Sequence, residues 1–156
     1  MLKKVKMFTD GSCLGNPGAG GYGTILRYKL HERILTSSFI LTTNNRMELM
    51  SVISGLEFLK QSCIVEITTD SLYVKKGITE WMPHWKNRNW IKKNNKSVKN
   101  KDLWFRISVA LEKHVVSWLW IKAHTGHIEN SRCDKIARRS ACTPIQRDMY
   151  YEKSKS

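Results

Sequence analysis

Four acidic residues, Asp10, Glu48, Asp70 and Asp134, stand out in a chain where 27 Lys and Arg outnumber 13 Asp and Glu. Each falls where a strand or helix could aim it at a shared point. Asp10 closes the apolar run VKMFTD and Asp70 closes IVEITTD. Glu48 follows TTNNRM in the first turns of a predicted helix, and Asp134 follows the loop KAHTGH in a late one. Clustered carboxylate oxygens without nearby thiolates suit hard divalent cations such as Mg2+. Such cations inside a basic protein point to chemistry on a phosphate backbone.

The elements that must position these groups follow from periodicity. Residues 5–10 read as a strand ending at Asp10. GSCLGNPGAGGYG then reads as a glycine-rich turn into strands over Tyr22–Tyr28 and Ile34–Leu41, antiparallel because the connections are short. Leu49, Val52, Ile53, Leu56 and Leu59 mark one helix face, with Asn44 or Asn45 as its N-cap. The strand Ile64–Thr69 follows, and the strand–helix–strand crossover makes it a parallel neighbour of the first strand. Asp10 and Asp70 then lie side by side at the carboxyl ends, where open α/β sheets place their sites. A short helix over Leu72–Gly77, a helix over Leu103–Glu112, a strand over 115–121 and a last helix stopped by Pro144 complete the order. RDMYYEKSKS reads as a frayed polar tail.

With 156 residues, 41% of them hydrophobic, the chain is expected to form one domain over residues 1–156. No apolar run reaches the ~20 residues of a membrane helix, and the N-terminus lacks the apolar core of a signal peptide. A cytoplasmic protein that does not engage membranes is expected. Cys13, Cys63, Cys133 and Cys142 form no C-x-x-C pair, so they read as small buried or half-buried side chains.

The net charge of +14 is concentrated. Residues 75–101 hold nine Lys or Arg, among them Lys86, Arg88, Lys92 and Lys93, against the single acid Glu80. Trp81, Trp85 and Trp90 are interleaved with them. Cations for phosphates and flat faces for sugars or bases are what a nucleic-acid groove needs. The alternative is a solvated loop anchored by core tryptophans, a role that suits Trp81.

Each acid also has a purely structural reading. Asp10 before Gly11 is a turn residue, Asp70 with Ser71 is an N-cap, Asn45-x-x-Glu48 is a capping box, and Asp134 is a first-turn carboxylate. Singly, these readings suffice for Glu48 and Asp134 and weigh evenly for Asp10 and Asp70. Four such coincidences in one chain do not.

FTDGSCLGNPGAGGYG, TTNNRMELM, TTDSLYV, KNKDLW and KAHTGHIENSRCD, in this order and spacing, resemble bacterial ribonuclease HI, the type 1 ribonuclease H family. The resemblance covers nearly the whole chain. It implies an α/β ribonuclease H-like fold: a five-stranded mixed sheet, three antiparallel strands then a parallel β-α-β unit, flanked by helices. It implies an endonuclease that hydrolyses the RNA strand of RNA–DNA hybrids with two Mg2+ ions, Mn2+ being a possible substitute, leaving 5′-phosphate and 3′-hydroxyl ends. By motif match Asp10, Glu48, Asp70 and Asp134 are metal-binding carboxylates, and His124, favoured over His127, handles protons or helps product leave. Cys13, Asn16, Asn44 and Asn45 lie along the substrate groove and Thr43 in a phosphate pocket. The segment about 80–101 is the basic protrusion that grips DNA, and residues about 145–156 are a polar tail.

Two departures stand out. Leu72 replaces a glutamine that contacts substrate, which implies a weaker grip or altered site preference. Thr125 replaces a smaller residue beside His124. A monomer without an obligate protein partner is the expectation. Rival readings are a hybrid-binding module without turnover, another two-metal nuclease or recombinase of the same broad fold, and a partner-binding protein. The full acidic set argues against the first, and TTNNRMELM with the Trp-rich basic insert against the second. Only the fold favours the third.

Overall fold

A computed structural model describes residues 1–92, 97–123 and 126–155. Five strands form one mixed sheet: β1 (Lys3–Cys13), β2 (Gly18–Tyr28), β3 (His31–Thr42), β4 (Cys63–Thr69) and β5 (Val115–Trp120). Their spatial order is β3-β2-β1-β4-β5. The first three pair antiparallel, while β4 lies parallel to β1 and β5 parallel to β4. The expected mixed sheet is therefore present.

The helix α1 (Asn44–Phe58) crosses from β3 to β4. Its stripe of Leu49, Val52, Ile53 and Leu56 is buried, as the period demands. These residues meet Met7, Val65 and Ile67 from the sheet, and Trp104 and Ile107 from α4 (Lys101–Glu112). On the opposite face α5 (Ile128–Ala141) covers a smaller core of Phe8, Ile25 and Cys133. The central strand β1 is thus sandwiched, and it is buried on both faces from Met7 to Gly11.

Much of the expected glycine-rich turn is strand instead. β1 runs on to Cys13 and β2 already starts at Gly18. A Cβ added at Gly23 would lie 2.6 Å from the Cys133 carbonyl oxygen, and one at Gly21 would lie 2.7 Å from that of Ala137. These glycines let α5 rest directly on the β2 backbone, a contact between distant segments that turn chemistry does not reveal.

The short helix α2 (Leu72–Lys76) also exceeds expectation. It passes through one π-helical turn at Gly77–Trp81 into α3 (Met82–Asn87), with Pro83 in the first turn of α3. Fully buried Trp104 fills the space beside Gly77, and its Nε1 donates to the Tyr73 hydroxyl at 3.1 Å.

The C-terminal segment is not frayed. The Gln146 N–H donates to the Ser38 carbonyl and the Ile40 N–H to that of Gln146, extending the β3 edge. A final helix, α6 (Met149–Ser154), buries Tyr151. Asp148, capping α6, accepts from Arg46 Nε at 2.7 Å and Thr42 Oγ1 at 2.7 Å. Arg46 also forks onto Asp102 at 2.7 and 2.8 Å. Polar composition hid this docking because the partners are about a hundred residues apart. Breaking one arm of a buried pair is strongly destabilising. Asp148→Ala is expected to cost about 3 kcal/mol in urea denaturation; an unchanged midpoint would show that the tail does not hold the fold.

Candidate active site

The site lies where the parallel ladder ends. β1 and β4 stay in register only as far as Phe8 opposite Thr68, whereas β1 keeps pairing with β2 up to Cys13. Asp10 is therefore mid-strand rather than terminal, but its β4 side opens into a crevice. Asp70 follows the last residue of β4 at the same edge.

Glu48 is brought in by α1. A Cβ on Gly11 would sit 2.5 Å from the Glu48 backbone nitrogen, so only glycine lets the start of α1 lie this close to β1. The Gly11 N–H donates to Glu48 Oε1 at 3.1 Å and to Asp10 Oδ1 at 3.0 Å. Asp10, Glu48 and Asp70 each offer one carboxylate oxygen, all within 4.8 Å of one another. Asp134 is not part of that tight trio. It faces the same crevice, lining a small cavity of about 60 Å³ with Asp10 and Asp70 and a larger one of about 400 Å³ with all three acids. Its Oδ1 accepts from Arg138 Nε at 3.2 Å, one turn along α5.

The structural readings of these acids fail. Thr43, not Asn44 or Asn45, caps α1, its Oγ1 accepting from the Arg46 N–H at 3.2 Å. Glu48 is the fifth residue of α1, two past the capping-box position. Ser71 rather than Asp70 caps α2. Asp134 is in the middle of α5, whose cap is His127, with Nδ1 accepting from the Asn130 N–H at 3.2 Å.

Crowding and burial shape the electrostatics. Burial pushes the Asp10 carboxyl up to about 7, with the nearby charges of Asp70 and Asp134 adding to it. Glu48 is raised well above the usual carboxylate range by its complete burial, then by Asp10. Glu48 Oε2 is buried with no hydrogen-bond partner. A crowded, all-oxygen, electron-rich set with an orphaned buried acceptor fits a hard divalent cation, which would relieve the repulsion and satisfy that oxygen.

Asn130 was not evident from the sequence. It is buried, donates from Nδ2 to Asp70 Oδ2 at 3.2 Å, and so fixes that carboxylate. Its four-residue spacing from Asp134 on α5 was the available signal.

Other expected residues are distributed around the crevice. Asn44 and Asn45 line the larger cavity. Asn16 Oδ1 accepts from the Asn44 N–H at 3.1 Å, joining the β1–β2 loop to the start of α1. Cys13 Sγ lies 3.5 Å from the carbonyls of Gly18 and Thr42. Leu72 is 71% exposed at the crevice rim. Trp81, Trp85 and Trp90 are half-buried in an aromatic chain with centroids 5.9 and 6.2 Å apart, and Trp85 meets Trp104 edge-on. Packing thus occupies much of their surface, while Lys86, Arg88 and Lys92 are exposed. His124, Thr125, Lys93 and Lys96 lie outside the described residues.

Two outcomes follow from this geometry. Gly11→Ala is expected to push α1 from β1 and lower the melting temperature; an unchanged melting temperature would show that the close approach is not needed. The Asp10 carboxyl binds its proton more tightly folded than unfolded, so metal-free protein loses stability as pH rises from about 4 through about 7. Asp10→Asn is therefore expected to stabilise protein in EDTA at pH 8 by on the order of 1–3 kcal/mol, with the gain vanishing near pH 4. A destabilised variant at pH 8 would contradict the crowding.

Known proteins resemble this chain over nearly its whole length. The family model described as RNase H matches residues 2–142. The Ribonuclease H of Buchnera aphidicola subsp. Schizaphis graminum is 66% identical over 152 residues, covering 97% of this chain and 94% of that protein. That of Enterobacter sp. (strain 638) is 56% identical, covering 97% and 98%. Among solved structures, LC9-RNase H1, a type 1 RNase H with the type 2 active-site motif, superposes with a TM-score of 0.84 at 32% identity, covering 94% of this chain and 75% of that one. LC11-RNase H1, solved in complex with an RNA/DNA hybrid, shares the fold with a TM-score of 0.66 at 22% identity, covering 88% and 96%. On sequence and fold, this chain belongs to the ribonuclease H family.

Proposed function

We propose that this protein is an endonuclease that hydrolyses the RNA strand of RNA–DNA hybrids with two Mg2+ ions, giving 5′-phosphate and 3′-hydroxyl ends. The convergence of Asp10, Glu48 and Asp70 within 4.8 Å, in a chain of net charge +14, carries this reading. The hybrid held by LC11-RNase H1 belongs to the same substrate class.

Bound divalent ions would supply Lewis acidity at the scissile phosphate and charge neutralisation for the attacking and leaving oxygens. Asp10, Glu48 and Asp70 would hold these ions. Asp134, half-buried on α5 and lining the same cavities, would complete the ligand set. Asn130 holds Asp70 in its orientation. His124, in the sequence between β5 and α5, would handle a proton or help product depart.

Around this centre, Asn44 and Asn45 line the cavity beside the acids and would meet the 2′-hydroxyls that distinguish RNA from DNA. Asn16 and Cys13 border the same edge, and Thr43 would add a phosphate contact. Exposed Lys86 and Arg88, with half-buried Trp81, Trp85 and Trp90, would hold the DNA backbone. Leu72 at the rim offers no hydrogen bond, consistent with a looser grip there. The surplus of positive charge disfavours self-association, so we propose a monomer. Four free cysteines suit a reducing cytoplasm.

Asp10→Asn, Glu48→Gln, Asp70→Asn and Asp134→Asn should each reduce cleavage of a labelled hybrid by orders of magnitude while the protein stays folded. EDTA should abolish cleavage by the wild type, and DNA and RNA duplexes should stay intact. Retained activity in one variant removes that residue from the site; cleavage in EDTA overturns the metal-dependent reading. Replacing Lys86, Arg88, Lys92 and Lys93 by Gln should raise KM and flatten its salt dependence with kcat largely kept. An unchanged salt slope would exclude the insert as a backbone contact.

A further inference from the structure

The sheet face that carries α5 is only partly covered. α5 lies over β1, β2 and β3. Towards the amino end of β1 the same face is open and holds a cleft of about 530 Å³, lined by Lys4, Lys6, Arg27, Lys29, Ile64 and Glu66 among others. Strand register explains the cluster. Lys4, Lys6, Phe8 and Asp10 alternate onto one face of β1. Lys6 pairs across to Arg27 on β2 and to Glu66 on β4. Phe8 is buried under α5, so the cationic cleft and the carboxylate crevice share one sheet face with α5 between them.

Four cations meet one carboxylate in this cleft. Arg27 is held by Glu32, which also binds Arg132 of α5. No carboxylate among the described residues forms an ion pair with Lys4, Lys6 or Lys29. The cations continue over α5: Arg132 adjoins the cleft through Glu32, Lys135 is exposed, and Arg138 lines the carboxylate crevice. The result is a positive path from the acids over α5 onto the open sheet face. None of these residues belongs to the basic insert.

We propose that this path binds the phosphate backbone of a single strand that continues beyond the hybrid. The proposal rests on the hybrid-cleaving reading above. Charge complementarity selects a polyanion. A route that crosses α5 within a few nucleotides selects a single strand, because a duplex is stiff on this length scale. Lys6 and Lys4 lie about 13 and 20 Å along β1 from Asp10, so a few nucleotides reach them. The lining offers no stacked aromatic platform, so binding is electrostatic and blind to sequence.

The test compares a blunt RNA–DNA hybrid with hybrids carrying 5′ or 3′ single-stranded extensions of about ten nucleotides. Affinities are measured in EDTA by fluorescence anisotropy across a salt series, with wild type and a Lys4→Gln/Lys6→Gln/Lys29→Gln variant. For at least one polarity, the extension should tighten binding and steepen the salt slope by about 2, as three phosphate contacts require. The variant should lose that gain while binding and, with Mg2+, cleaving the blunt hybrid like wild type. Equal affinities for blunt and extended hybrids, or a gain that survives in the variant, would overturn the proposal. So would a variant that loses binding to a poly-glutamate peptide but keeps the extension effect, which would assign the face to an acidic protein. Blunt-hybrid cleavage reports on the carboxylates and the extension effect on the sheet face, so the two readings fail separately.

Discussion

The mutual approach of Asp10, Glu48 and Asp70 is the constraint around which the other elements are arranged. Three carboxylates within 4.8 Å repel one another, and burial adds a desolvation cost to each charge. A chain selected for stability alone would separate them or neutralise them with Lys or Arg. Here Arg138 pairs with half-buried Asp134, and the buried pair is held by the Gly11 N–H. The arrangement stores electrostatic tension that a divalent cation would discharge, and the proposed chemistry depends on that property.

Holding such a cluster in place requires a rigid surround. α1 is clamped between the sheet and α4, and its first turns are fastened twice. Gly11 allows contact with β1, and buried Arg46, two residues before Glu48, binds Asp102 and Asp148. This ties the helix bearing Glu48 to α4 and to the C-terminal segment. α5 is fastened similarly, resting on Gly21 and Gly23 and tied to the β2–β3 hairpin by Arg132 and Glu32. The site's negative charge thus sits on packed elements, while much of the positive charge lies on exposed surfaces suited to phosphates.

The antiparallel β1–β2–β3 pairing, the parallel β1–β4 neighbours and the α1 stripe were legible in the sequence because each depends on local period and connection length. Asp10 and Asp70 were legible as neighbours because strands joined by a crossover helix share an edge. What was not legible depended on contacts across long separations. GGYG was read as turn because its packing partner, α5, lies more than a hundred residues away. The C-terminal segment was read as frayed because Asp148 gains its meaning only from Arg46. The N-cap shifted to Thr43, since local pattern places a cap only to within a residue or two. Asn130 was passed over because an asparagine in a polar loop shows no sign of burial until the carboxylate beside it is placed.

The most direct test of the account is anomalous diffraction from crystals of this protein equilibrated with Mn2+ as a stand-in for Mg2+. The account predicts at least one strong peak within coordination distance of Asp10, Glu48 and Asp70 together. Ion density confined to other parts of the molecule, with these three headgroups bonded only to protein, would contradict it.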